Sequence, residues 1–230
     1  GHVFIAQPPL YKMKKGKSQK YLVDDKALST FVNEDISSNF SLLIDDVKVD
    51  KELLYSLLSS YSNLTSVIDQ FSSRRDKLIL ENLAFFEMLV VDDLKNLKRI
   101  KSWCSLFKKF LNSNTAINIK FDLLPSKEPV DDKTYNINIT KTINGVSTQL
   151  DPLNKHFFSS DSYSDLVKLN LQEYASSSFK YTSLDSDDES SVYKFKDCLN
   201  SLIDLSKRSM TLQRYKGLGE MNPSQLEETT

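Results

Sequence analysis

Between Gly16 and Pro125 the chain contains neither glycine nor proline. A run that long without either helix breaker is where long helices sit. The apolar positions agree. From Asp50 onward, Leu53, Leu54, Leu57, Leu58, Tyr61 and Leu64 follow the spacing of one helical face, continuing to Ile68 and Phe71. A second helix is predicted from about Arg75 to Val91. A third, opened by Asp92 and Asp93, carries Leu94, Leu97, Ile100, Cys104, Phe107 and Leu111 at intervals of three and four. The central third of the chain therefore reads as a helical hairpin or small bundle.

The flanks alternate instead. Val3 to Ala6 reads as a buried strand ended by Pro8 and Pro9. Leu10 to Met13 and Lys20 to Val23 read as a β-hairpin turning through Lys15, Gly16, Lys17 and Ser18. Asp24 and Asp25 offer an N-cap for a short helix through Ala27, Leu28, Phe31 and Val32, and Phe40 to Ile44 reads as a strand. After the helical third, Ile117 to Phe121 and Tyr135 to Ile139 regain strand character. Asn144-Gly145 is a strong hairpin signal leading into Val146 to Leu150. Asp161 to Ala175 is predicted helical, and Tyr181 to Ser191 a polar, acidic loop. A helix from about Tyr193 to Lys207 places Phe195, Leu199, Leu202, Ile203 and Leu205 near one face. Leu212 to Tyr215 reads as a strand entering a turn shaped by Gly217 and Gly219, and Asn222-Pro223 opens a last helix. The fold class is α+β.

Bulk properties exclude several functions. Thirty basic residues against 31 acidic ones leave a net charge of -1, so any nucleic-acid contact must come from a local patch. The two cysteines, Cys104 and Cys198, form no Cys-x-x-Cys pair, which fits idle thiols in a reducing compartment. No apolar stretch is long enough to span a bilayer, and the first residues lack the basic region of a signal peptide. With no initiator methionine and an abrupt stop at Glu227-Glu228-Thr229-Thr230, the chain reads as a piece of a longer protein.

Apparent active-site patterns dissolve on inspection. Gly16-Lys17-Ser18 resembles the end of a phosphate-binding loop, but Tyr11 stands where that loop needs glycine. Gly217-Leu218-Gly219 lacks the third glycine of a dinucleotide fingerprint. His2 and His156 have no partners at metal-ligand spacing, and the acidic run Asp185 to Glu189 is followed by Ser190 where a calcium loop would need glycine. No catalytic or metal-ligating set emerges. Two basic stretches remain. Lys95, Lys98, Arg99, Lys101, Lys108 and Lys109 on the third helix, with Trp103 nearby, read best as a solvated face. Lys12, Lys14, Lys15, Lys17 and Lys20, with no acidic residue between them, could meet phosphates or an acidic partner.

Two blocks are far more specific. The run Gly1 to Lys17, GHVFIAQPPLYKMKKGK, resembles the stretch that follows the metal-binding motif in the Toprim domain of DNA gyrase B subunits. The run Leu212 to Pro223, LQRYKGLGEMNP, is similar to that domain's closing signature. Their wide separation resembles the gyrase B subunits of Gram-negative bacteria, in which an inserted domain interrupts Toprim. The B subunit of topoisomerase IV is the near relative; the Gln-Arg-Tyr form of the closing motif and the long insertion favour gyrase.

The resemblance implies a partial Toprim sheet built from both chain ends, with segments at 1–32 and 202–230 and a mixed helical and β insertion at 33–201. It implies a share in ATP-dependent negative supercoiling, with DNA and the gyrase A subunit as partners in an A2B2 assembly in the cytoplasm. Magnesium and ATP belong to the parent protein; the carboxylates that hold the metal would lie upstream of Gly1, so no catalytic residue, metal or cofactor is expected on this piece. The expected DNA or A-subunit contacts are Lys12, Lys14, Lys15, Lys17, Arg214 and Lys216, with Gly16, Gly217 and Gly219 forming turns. Glu227 departs from the family, which often carries an aromatic residue there. A bracing role for the insertion and, as a rival, a stand-alone interaction module are the remaining expectations.

Overall fold

A computed structural model describes residues 9–16, 18–71, 75–130, 133–184, 190–215 and 220. In chain order the elements are β1 (Tyr11–Lys15), β2 (Ser18–Leu22), α1 (Asp25–Asn39), β3 (Phe40–Ile44), β4 (Val47–Lys48), α2 (Lys51–Phe71), α3 (Lys77–Leu83), α4 (Leu97–Ser113), β5 (Ile119–Pro125), β6 (Ile137–Ile143), β7 (Val146–Leu153), α5 (Lys155–Phe158), α6 (Asp161–Lys168), β8 (Phe179–Ser183), α7 (Phe195–Arg208) and β9 (Thr211–Arg214). Short 3-10 turns occupy Val91–Lys95 and Leu171–Tyr174. This is an α+β chain with small antiparallel sheets. It divides into two compact units, residues 1–62 with 177–230, and residues 63–176. The predicted strand at Val3 to Ala6, the acidic run at 185–189 and the last helix lie outside the described residues.

The first unit holds two three-stranded sheets, ordered β2-β1-β9 and β4-β3-β8. The hairpin closes as expected, with Lys15 opposite Ser18. Gly16 sits at φ +58, a conformation that glycine adopts without cost. Asp24 caps α1, its carboxylate accepting from the Ala27 N–H at 2.7 Å, but the helix is longer than the short one predicted and ends only where β3 begins. The β3–β4 turn places Asp45 and Asp46 at φ 49 and 63, as a type I′ hairpin turn requires. The Ser178 N–H, 2.8 Å from the Asp45 carboxylate, holds that carboxyl below its usual range and anchors the strained turn. Tyr181 to Ser183, predicted as loop, continue β8 instead, because β3 supplies a partner strand with Leu42 opposite Tyr181.

Amphipathic packing completes that unit. The helix α7 buries Phe195, Cys198, Leu199, Leu202 and Ser206, while Ile203 and Leu205 are only half buried. The N-terminal half of α2 buries Leu54, Leu57 and Leu58. Tyr61 stands edge-on to the Phe195 ring and donates to Asn200 Oδ1 at 2.7 Å.

The second unit pairs helices with the sheet β5-β6-β7. The third helix is displaced from its predicted start. A 3-10 turn carries Asp92, Asp93 and Leu94, and α4 begins after Asn96, whose side chain accepts from the Arg99 N–H. The second helix is much shorter than the 75–91 span predicted. After α3 the chain turns and runs extended, because side chains capture its backbone. Trp103 Nε1 donates to the Glu87 carbonyl at 2.7 Å, and the Tyr163 hydroxyl both donates to and accepts from Leu89, each at 3.0 Å. Asn112 of α4 clips the outer edge of β5, accepting from the Phe121 N–H at 2.7 Å and donating to its carbonyl at 2.9 Å.

Strand limits also moved. The first predicted strand begins at Ile119 and continues to Pro125, and β6 extends to Ile143, each pairing demanding more residues than the alternation indicated. The turn at Asn144 and Gly145, φ 49 and 85, forms as read. The helix predicted over Asp161 to Ala175 stops at Lys168, because Asn170 adopts φ 50. Trp103 is fully buried, while Lys98, Lys101, Lys108 and Lys109 are exposed, the solvated face that the sequence favoured.

Candidate nucleic-acid interface

The central strand β1 pairs with β2 on one side and with β9, from the far end of the chain, on the other. Both end blocks therefore enter one sheet. Successive side chains of a strand face opposite ways, and directly opposed residues share a face. That rule divides the candidate residues.

One face carries Lys12 and Lys14. Lys12 lies opposite Tyr21 and Gln213, and Lys14 opposite Gln19 and Thr211. The face thus presents two ammonium groups, two amides, a phenol and a hydroxyl, and no carboxylate from these three strands. The Lys12 ammonium lies 5.4 Å from the Tyr21 ring centroid, so an aromatic platform flanks one of the charges. Lys14, Gln19, Thr211 and Gln213 are exposed.

The opposite face is an interior one. Tyr11, Met13 and Leu22 are buried against Ala27, Leu28 and Phe31 of α1 and against Met210. The Tyr11 hydroxyl donates to Asp25 at 2.5 Å, which raises the phenol's pKa, with burial acting in the same direction. Lys15 belongs to this face and forms an ion pair with Asp35 of α1, so its charge is already partnered. Arg214 lies opposite Tyr11, its guanidinium 5.9 Å from that ring. Of the expected contacts, Lys12 and Lys14 are brought together, whereas Lys15 and Arg214 are placed on the other face. Lys17, Lys216, Gly217 and Gly219 lie outside the described residues. Asp35 escaped the sequence reading and Asp25 was read only as a helix cap, because no local pattern signals partners brought in from a separate helix.

Among the described residues no group of three or more His, Cys, Asp or Glu side chains is arranged to hold a metal ion. The magnesium that the resemblance implies therefore finds no fitting ligand set there, and no step of phosphodiester chemistry is assigned to this chain. The buried thiols of Cys104 and Cys198 are pushed up to about 12 by desolvation, which removes them as nucleophiles. No helix among the described residues is long and apolar enough to cross a membrane.

A sheet assembled from two distant end blocks, with a long stretch of chain between them, defines a class: an α+β domain interrupted by an insertion. The sequence comparisons narrow it. Residues 43–173 match the family described as DNA gyrase B subunit insert domain, 9–32 match GyrB, hook, and 207–230 match DNA gyrase B subunit, carboxyl terminus. The chain is 30% identical over 240 residues to the DNA gyrase B subunit of Rickettsia bellii and 29% over 239 to that of Rickettsia felis. It is 29% identical over 236 residues to the B subunit of the type 2 topoisomerase of Aquifex aeolicus. In each the whole of this chain is covered, against 28%, 28% and 27% of the relative. The chain therefore spans little more than a quarter of the length of these curated relatives. It belongs to the DNA gyrase B subunit family.

Proposed function

We propose that this chain forms part of the DNA-handling surface of a gyrase B subunit, with the face bearing Lys12 and Lys14 contacting the DNA backbone. The intact protein would then join a gyrase A subunit in an A2B2 assembly in the cytoplasm and introduce negative supercoils by ATP-dependent double-strand passage. ATP and magnesium would be held by other parts of the protein, and this piece by itself would neither hydrolyse ATP nor cleave DNA. The observation that carries the reading is the placement of two lysines on one sheet face, among hydrogen-bond donors, to which the described residues of β1, β2 and β9 add no carboxylate. Phosphate contacts require local cations and donors rather than a basic protein overall.

The insertion, at about 33–201, would brace the protein against the A subunit or DNA. Those limits fall inside α1 and α7, so a deletion of 40–194, which leaves both helices whole, is the cleaner probe. Loss of supercoiling and a weaker complex with the A subunit are expected; unchanged values would dispose of the bracing role.

The DNA contact itself is tested in full-length protein with Lys12→Ala and Lys14→Ala, measuring duplex DNA affinity across a salt series. Removing one phosphate contact should flatten the plot of log affinity against log salt by about 0.9. Unaltered slopes in both variants would end the DNA reading. A weakened complex with the A subunit in its place would transfer the face to a protein partner.

A further inference from the structure

The family matches leave two gaps, residues 33–42 and 174–206, where the chain leaves the end blocks for the insertion and returns from it. One side chain occupies both junctions at once. Asp35 of α1 lies in the first gap, and its carboxylate is only 8% exposed. One oxygen accepts from the Lys15 ammonium of β1 and from Asn39 Nδ2 at 3.0 Å. The other accepts from Ser206 Oγ of α7, the last residue of the second gap, at 2.7 Å. Ser206 is itself buried.

Burying a carboxylate requires that its charge be met by donors. Here the donors come from three elements far apart in sequence. Lys15 stands one residue from Lys14 on the central strand of the candidate interface. Asp35 and Ser206 stand at the outgoing and returning roots of the insertion.

We propose that Asp35 is a positioning residue, clamping both roots of the insertion to the strand that presents Lys12 and Lys14. Lys15 thereby serves the interior of the protein and does not touch DNA. This rests on the nucleic-acid reading above for its functional consequence, though the clamp itself does not.

The clamp predicts a pattern that a phosphate contact would not give. In the full-length B subunit reconstituted with its A subunit, Lys15→Met and Asp35→Asn should each weaken duplex DNA binding by roughly fivefold, within the range of energies that coupled neighbours show. The salt slope should stay at the parent value, because every phosphate contact is still in place. The double variant should be no worse than the worse single one, since either change opens the same clamp. Lys15→Arg, which keeps the charge partner, should bind nearly as the parent does, and Ser206→Ala, which removes one arm, should lose less than Asp35→Asn. Lys14→Ala, measured alongside, should flatten the slope by about 0.9.

A Lys15→Met slope that falls like that of Lys14→Ala would make Lys15 a phosphate contact and overturn the inference. So would losses for Lys15→Met and Asp35→Asn that multiply in the double variant. If Lys12→Ala and Lys14→Ala both leave the slope unaltered, the nucleic-acid reading fails first. The clamp is then judged by urea unfolding of the 230-residue chain, where the same two substitutions must prove non-additive.

Discussion

Replacing Tyr163 by phenylalanine removes one oxygen atom and two hydrogen bonds. The Tyr163 hydroxyl donates to the Leu89 carbonyl and accepts from the Leu89 N–H, and Leu89 is fully buried. Phenylalanine offers neither donor nor acceptor, so both backbone groups of Leu89 lose this partner. Two net hydrogen bonds of about 1 kcal/mol each, and a further desolvation penalty of about 1–2 kcal/mol for the orphaned groups, give a cost of about 3–4 kcal/mol at neutral pH. The same hydroxyl makes the cost depend on pH. Burial pushes the Tyr163 phenol up to about 12, with the Asp93 charge adding to the shift and the Leu89 hydrogen bond opposing it. In the unfolded chain the phenol ionises near its ordinary 10.0. Between those values the folded state keeps a proton that the unfolded state has released, so stability falls as pH rises through this window. Two units correspond to about 2–3 kcal/mol.

Phenylalanine cannot ionise and escapes that loss. The stability gap between the parent and Tyr163→Phe should therefore be widest below pH 10 and close as pH approaches 12. Cys104 titrates in the same range, but it does so in both proteins and cancels in the difference. The single tryptophan, Trp103, is buried in the same unit, so urea unfolding followed by its fluorescence reads the affected region directly. A gap under about 0.5 kcal/mol at pH 7, or one that is as wide at pH 11.5 as at pH 7, would refute the reasoning.

Other positions give independent tests. Asn112→Ala strips both backbone bonds from Phe121 at the sheet edge and should lower stability by about 2–3 kcal/mol in the same urea assay, whereas Asn112→Gln, unable to reach both groups, should recover little of it. Gly145→Ala places a side chain at φ 85 with open space around it, so the cost is backbone strain alone, about 1–2 kcal/mol; an unchanged midpoint would show that the turn is not left-handed. Cys104 and Cys198 should label with a maleimide at pH 7.5 only as fast as the protein unfolds, and stoichiometric labelling of native protein within minutes would contradict their burial.

Features governed by short-range chemistry were legible in the sequence. Asn144-Gly145 marks its hairpin because both residues tolerate positive φ, and the apolar spacing of α2 predicts its full length to Phe71. The β1–β2 hairpin and the strand before the closing glycines follow from alternation. What misled was capture from afar. Glu87 to Val90 have helical periodicity, but Trp103 and Tyr163 seize their backbone groups from other helices and hold them extended. Tyr181 to Ser183 have the composition of a loop and become strand because β3 is there to pair with. At the candidate site, a run of lysines reads as one basic patch, yet the pleat sends Lys15 inward. Its partner Asp35 lies twenty residues on in another element, where no spacing rule points.

The antiparallel register of β1 and β9 also explains how so long an insertion can sit inside a small sheet. The chain leaves the sheet at Leu22 of β2 and re-enters it at Thr211 of β9, the two strands that flank β1, so the intervening residues have only the width and length of one short strand to span. Closing a loop of about 200 residues rather than about 10 costs only about 3 kcal/mol more, since the entropy grows with the logarithm of length. The packing of α1 on α7 and the shared carboxylate at Asp35 are of the right size to offset that amount. Insertion length should then be nearly free to vary, provided the two roots stay joined. What must be kept is the junction, because a loosened root would let β9 slip. A slip of one residue would turn Gln213 away from Lys12 and bring Leu212 or Arg214 opposite it in its place.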